Sequence, residues 1–148
     1  MDAEIYHQLT RYCAYQERCI NDVIRKLKKL KTEQEEFDAY LERLKEENYL
    51  NEERFVRAFI RGHSKKKWGK AKMKSALLQK GINPPLIKKN LDELDDAEYK
   101  EQIRFLAEKK WKSLKDDSLQ KKKQKTIRFL MSKGFETEKI MEAIKALR

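Results

Sequence analysis

Apolar residues recur along this chain in one rhythm that is used three times. Leu27, Phe37, Leu41 and Leu44 follow one another at steps of ten, four and three residues. The same steps join Leu77, Ile87, Leu91 and Leu94, and again Leu130, Ile140, Ile144 and Leu147. Steps of three and four belong to one face of a helix, and the step of ten carries the pattern across a turn into the next helix. The three sets are offset by 50 and 53 residues. A period of that length predicts a repeat architecture, in which each unit buries its apolar face against its neighbour. The expected fold is all-α, three tandem three-helix repeats forming an elongated, curved array, with repeats at 1–50, 51–96 and 97–148.

Local signals place the helices. In the middle repeat Asn51 is a good N-cap, with Glu52 and Glu53 in the first turn. Phe55, Val56, Phe59 and Ile60 share one side of the helix that follows, and Arg54, Arg57, Arg61 and Lys65 lie within about 80° of each other on the opposite side. Gly62 weakens its last turns. A second helix is expected from about Lys70 to Lys80, with Met73, Ala76 and Leu77 inward, stopping at Gly81. Asn83 caps a third helix that has Pro84 at its first position. The last repeat ends its second helix at Lys133-Gly134, and Thr137 with Glu138 opens the closing helix. Residues 113–123 read as a loop and then a helix start near 116–118. In the first repeat Ile5, Leu9 and Tyr12 line one helix and Val23, Ile24 and Leu27 the next. Here Lys31-Thr32 stands in place of the glycine, before an acidic third helix.

Composition sharpens this picture. The chain of 148 residues is 41% charged with only four Gly and two Pro, which favours helix throughout. The net charge of +11 is unevenly placed. Basic residues number nine against eleven acidic in 1–50, twelve against two in 51–90, and fifteen against twelve in 91–148. An excess gathered in one repeat points to a polyanion or an acidic protein surface. Nine of the twelve lie close together in sequence, Arg54, Arg57, Arg61, Lys65, Lys66, Lys67, Lys70, Lys72 and Lys74, with Trp68 among them. The cations neutralise phosphates, and an indole can stack on an unpaired base. Trp68 serves equally well as a packing residue between two helices, and the adjacent Gly69 favours that reading.

Chemistry is otherwise sparse. There is no Gly-rich phosphate loop, nucleophile elbow or His-Glu-x-x-His motif. Cys13 and Cys19 lie six residues apart, and His7 and His63 stand far from each other, too few ligands for structural zinc. Neither an enzyme, a cofactor nor a metal is expected. The polar start and the lack of any stretch of about 20 apolar residues lead to the expectation of a cytoplasmic protein with no membrane partner.

The middle repeat carries a recognisable signature. It runs Asn51-Glu52-Glu53-Arg54-Phe55-Val56-Arg57-Ala58-Phe59-Ile60-Arg61, then Lys67-Trp68-Gly69-Lys70-Ala71-Lys72-Met73, then Leu77-Leu78-Gln79-Lys80-Gly81-Ile82. This resembles the RecX family of bacterial recombination regulators, with its acidic opening, aromatic and basic first helix, W/Y-G turn, basic helix and K-G-[IV] stop. Phe129-Leu130-x-x-Lys133-Gly134-Phe135 resembles the family's closing motif. Tyr15-x-x-Arg18-Cys19-x-x-Asp22-Val23-x-x-Lys26-Leu27 resembles its opening one, with Cys19 where a capping Ser is usual and Asp22-Val23 for Glu-Leu.

A monomer is expected, and the resemblance implies a protein that binds the RecA filament on single-stranded DNA. It implies inhibition of RecA ATPase, strand exchange and stimulation of LexA self-cleavage, and hence a place in DNA repair and the SOS response. The basic residues would then face DNA phosphate or acidic filament surface, while Glu33, Glu35, Glu36, Asp38 and Glu42 would meet basic RecA residues. The competing readings are a basic helical nucleic-acid-binding module acting independently of RecA, and a structural helical adaptor.

Overall fold

The computed structural model describes residues 1–147. Among them are nine α-helices, one short 3₁₀ turn and no strand. The helices form three trios: α1 (Ala3–Tyr15), α2 (Ile20–Lys29) and α3 (Phe37–Glu46); α4 (Glu52–Lys65), α5 (Lys70–Gln79) and α6 (Pro84–Asp92); α7 (Asp96–Ser113), α8 (Leu119–Ser132) and α9 (Thr137–Lys145).

Side-chain oxygens start the helices where the sequence offers them. Asp2 Oδ1 accepts from the amides of Glu4 and Ile5 at 2.8 and 3.1 Å, Asn51 Oδ1 from Arg54 at 2.9 Å, and Asp95 Oδ1 from Glu98 at 2.9 Å. Each bond satisfies an amide that the helix itself cannot reach. Ser118 does the same for α8 through Lys121, so the expected helix start near 116–118 lies at residue 119.

The second helix of every trio stops in the same way. Lys31, Gly81 and Gly134 take left-handed conformations at φ 58°, 80° and 90°. The next residue then donates back across the turn, from Thr32 to the carbonyl of Leu27, Ile82 to Leu77 and Phe135 to Leu130, at 3.1 to 3.3 Å. A shorter bond inside it joins Lys31 to Lys28, Gly81 to Leu78 and Gly134 to Met131, each at 3.0 Å. This is the Schellman stop, repeated with the 50- and 53-residue offsets of the sequence. The three leucines at its base are fully buried. The rest of the apolar skeleton is buried too, except Leu94 and Leu147, which are half-buried.

Contacts divide the chain into two compact units, Met1–Phe59 with Leu77–Ile87, and Ile60–Ala76 with the residues from Lys88 onward. The middle trio is thus shared between them. The first unit's core gathers Tyr6, Leu9, Cys13, Val23, Leu27, Tyr40 and Leu44. On α1 the buried face is Tyr6, Leu9 and Cys13, one position away from the expected Ile5, Leu9 and Tyr12, of which Ile5 and Tyr12 stay half-buried. Tyr6 tolerates burial because its hydroxyl donates to Glu47 Oε1 at 2.8 Å, and Arg43 lies 3.9 Å above its ring. The second unit's core gathers Tyr99, Ile103, Leu106, Leu130, Phe135, Ile140 and Ile144.

The same junction occurs inside each unit. In the first, the start of α2 meets the turn after α5: Asn21 Nδ2 donates to the Lys80 carbonyl at 2.9 Å, the Cys19 thiol points to the same oxygen at 3.9 Å, and Ile20 N donates to Glu52 at 3.0 Å. In the second, the start of α5 meets the turn after α8. Gly69 N donates to the Lys133 carbonyl at 2.6 Å, Ala71 N to Gly134 at 3.0 Å, and Lys70 N to the Tyr99 hydroxyl at 2.9 Å. Each junction sets the positive end of one helix against the carbonyl-rich end of another.

Candidate polyanion-binding surface

The basic segment 54–74 begins on α4, whose helical spacing places Arg54, Arg57, Arg61 and Lys65 on one side. Arg54 and Arg57 fall in the first unit. Arg54 is held there by four bonds: Nε to Glu17 Oε1 at 2.7 Å, Nη1 to Asn48 Oδ1 at 3.3 Å, and Nη2 to the carbonyls of Asn48 and Tyr49 at 3.0 and 3.3 Å. A guanidinium engaged on every side clamps the α3–α4 connection. Arg57 is exposed and bonds Glu53 at 2.7 Å, one turn back.

The second unit holds the rest. Arg61, Lys65, Lys66 and Lys74 are exposed; Lys67, Trp68, Lys70 and Lys72 are half-buried. The turn leaving α4 is another Schellman stop, with Lys67 left-handed at φ 63° and Trp68 N bonded to the His63 carbonyl at 3.1 Å. That stop brings its last residue onto the helix it closes. The Trp68 ring accordingly lies 4.3 Å from His63, centre to centre. His63 is therefore packed at the helix end, not left in solvent.

The ammonium groups settle on aromatic rings. Lys72 Nζ stands 4.4 Å from the centre of Trp68, Lys67 Nζ 4.1 Å from Phe105, and Lys70 Nζ 4.9 Å from Tyr99. Such contacts hold a cation without neutralising it. Among the described residues, Arg61, Lys65, Lys66, Lys67, Lys70, Lys72 and Lys74 have no carboxylate within 4.0 Å. Elsewhere carboxylate pairing is common, as in Arg43–Glu47, Lys88–Asp92 and Lys125–Asp117. The start of α5 is closed to anions, because its first amides already serve Lys133, Tyr99 and Gly134. Anion recognition here falls to the side chains.

The acidic residues are arranged differently from the expected helix. Glu33 precedes a 3₁₀ turn, Gln34–Glu36, that contains Glu35 and Glu36; only Asp38 and Glu42 lie on α3. The α-helix follows directly at Phe37, whose ring lies in the core. All five carboxylates are exposed. Both cysteines are buried and free, and burial pushes the Cys13 thiol up to about 11 and raises that of Cys19. Among the described residues no group of three His, Cys, Asp or Glu could hold a metal, and no helix is long and apolar enough to cross a membrane.

Sequence reasoning passed over one cluster. Gln8, Arg11, Tyr12, Tyr15, Arg18 and Lys26 line a cleft between α1 and α2. The first four recur at helical spacing along α1, a signal that was present but masked by the acidic balance of the first repeat.

Comparison with known proteins agrees with this architecture. Residues 51–91 match the second three-helix domain of RecX and residues 97–144 the third. Regulatory protein RecX of Chlorobium phaeobacteroides (strain BS1) is 30% identical over 144 residues, covering 97% of this chain and 93% of that protein. The RecX proteins of Clostridium perfringens (strain 13 / Type A) and Clostridium botulinum (strain Eklund 17B / Type B) are 33% and 34% identical, over 80% and 69% of this chain. The chain spans 63% and 49% of the length of those two relatives. The crystal structure of RecX from Lactobacillus salivarius superposes with a TM-score of 0.89 at 25% identity, covering 98% of this chain and 95% of the other. A repeated helix stop, family domains aligned with the second and third trios, and identity sustained along nearly a whole RecX protein lead to one conclusion: the chain belongs to the RecX family of regulatory proteins.

Proposed function

We propose that this chain is a cytoplasmic regulator that acts, as a monomer of three repeats (1–50, 51–96 and 97–148), on the RecA filament formed on single-stranded DNA. It binds that filament and restrains RecA ATPase, strand exchange and co-protease activity. The observation that carries the reading is the row of cations from Arg61 to Lys74, none of which has a carboxylate of the described residues within 4.0 Å, in a chain of the RecX family. Unpaired cations held on rings are positioned for a polyanion and keep their full charge until it arrives. In this reading Arg57, Arg61, Lys65, Lys66, Lys67, Lys70, Lys72 and Lys74 face DNA phosphate or acidic filament surface, with Trp68 holding the turn that presents them. The exposed carboxylates of Glu33, Glu35, Glu36, Asp38 and Glu42 meet basic groups of RecA.

The test is the DNA-dependent ATPase of RecA from the same organism, titrated with this protein. Inhibition well below one protein per RecA is expected. The triple reversal Arg57→Glu, Arg61→Glu and Lys70→Glu should abolish filament binding while circular dichroism shows the helices intact. Absence of inhibition by the unmodified chain overturns the proposal. If single-stranded DNA is then still bound with a steep salt dependence, the protein is a basic nucleic-acid-binding module that acts without RecA.

A further inference from the structure

The cleft between α1 and α2 is a second concentration of unneutralised charge, in the repeat where acidic residues outnumber basic ones. Its volume is about 430 Å³, within the range of small-molecule sites. One wall is the α1 face that carries Gln8, Arg11, Tyr12 and Tyr15; the other is formed by Arg18, in the α1–α2 connection, and Lys26 on α2. Arg18 is fixed in place. Its Nε donates to the Tyr12 carbonyl at 3.0 Å, one of the orphan acceptors at the end of α1, and its guanidinium lies 3.6 Å over the Tyr12 ring. Lys26 Nζ approaches the same ring to 5.5 Å.

Carboxylates that could neutralise the cleft are engaged elsewhere. Glu17, adjacent to Arg18 in sequence, bonds Arg54 at 2.7 Å, and Asp22 pairs with Lys80 at 3.5 Å and Arg25 at 3.7 Å. Among the described residues, Arg11, Arg18 and Lys26 have no carboxylate within 4.0 Å. Beside them Tyr15 is 82% exposed, a large ring with no neighbour to cover it. Keeping three cations unpaired around one hollow, next to a bare ring, suits a ligand that is both planar and anionic.

We infer that this cleft binds an unpaired nucleotide of a single-stranded nucleic acid. The base stacks on Tyr15 and on the outer face of the Arg18 guanidinium, and Arg11 and Lys26 neutralise the flanking phosphates. Stacking explains the exposed tyrosine, and phosphate explains the cations. An acidic protein segment would satisfy the charges and leave the exposed Tyr15 ring without a partner. The site lies in the first unit and needs neither RecA nor the segment 61–74, so it stands or falls separately from the function proposed above.

The probe is a fluorescein-labelled oligothymidylate titrated with the full chain in a series of salt concentrations and read by anisotropy. Tyr15→Ala should weaken binding at least fivefold and leave the salt slope unchanged, since it removes a stack and no charge. Arg11→Gln with Lys26→Gln should lower the slope by about 1.4, the release of about 0.7 ion for each single-strand phosphate contact. An oligonucleotide carrying 5-iodouracil should photocrosslink to Tyr15, located by mass spectrometry of the peptide. Unchanged affinity and slope in both variants, or crosslinks confined to the 61–74 segment, overturn the inference. So does a result in which polyglutamate, and not the oligonucleotide, loses affinity in Tyr15→Ala, because the cleft then serves an acidic protein.

Discussion

Gly69 and Gly134 should be the most sensitive pair of positions in the second unit, and Gly69→Ala isolates the effect. A Cβ at Gly69 would stand within 3.0 Å of the Gly134 carbonyl carbon, its oxygen and Phe135 N. Carbon atoms pack at about 3.5–4.0 Å, so α5 and the α8–α9 turn must part by about an ångström. That shift breaks the Gly69–Lys133 bond of 2.6 Å and the Ala71–Gly134 bond of 3.0 Å. Each donor left without a partner costs about 1–3 kcal/mol. The stiffer unfolded chain of the alanine variant offsets about 0.4–1 kcal/mol. The expected loss is about 3 kcal/mol, which lowers Tm by about 6–12 °C for a chain of this size. Gly62→Ala is the matched control. Nothing lies within 4 Å of its added carbon and it sits inside α4, so that variant should gain about 0.5–1 kcal/mol. Thermal unfolding by circular dichroism gives both numbers, and hydrogen exchange at the amides of residues 69 and 71 locates the damage. A Gly69→Ala protein that melts within about 2 °C of the parent, with those amides still protected, would refute the junction.

Three further expectations follow from the same geometry. Lys31→Gly should stabilise the first unit by about 0.5–1 kcal/mol, since lysine there bears a left-handed φ of 58° that glycine adopts freely; the urea midpoint should rise with an unchanged slope. Arg54→Ala should cost about 1–2 kcal/mol in the same measurement, because Glu17 and the carbonyls of Asn48 and Tyr49 lose their donor, and partial solvent access limits the loss. Cys13, its thiol raised to about 11 by burial, should react about a hundredfold more slowly with a disulfide reagent in the folded protein than in urea at about pH 8; equal rates would contradict its burial. The sign for stability follows: a raised folded value leaves the contribution whole below the ordinary thiol range and removes it as pH climbs toward about 11.

Much of the fold was legible because its causes are local. The three helix stops at Lys31, Gly81 and Gly134 rest on bonds that reach no more than five residues back, and the leucines beneath them set the apolar period. The buried face of α1 lies one position away from the one the sequence pattern predicts, since only the folded chain brings Glu47 to the Tyr6 hydroxyl and Arg43 to its ring. The acidic stretch reads as one helix because carboxylates at 33–36 look like a helix start, whereas residues 34–36 form a 3₁₀ turn that leads into the α-helix. The candidate surface was legible as a run of charge. Which cations remain unpaired was not, because Glu17 reaches Arg54 across 37 positions.

The sequence by itself determined most helix caps and stops, which arise from neighbours within two turns, and displayed the threefold repeat and the region of greatest positive charge. Tertiary structure alone decided that Gly69 meets Gly134, that Arg54 reaches Glu17, that Phe105 carries Lys67, and that Arg11, Arg18 and Lys26 share a cleft. The physical reason is range. Backbone conformation answers to adjacent residues, while the partner of a charge or a ring is whichever group packing delivers within a few ångströms.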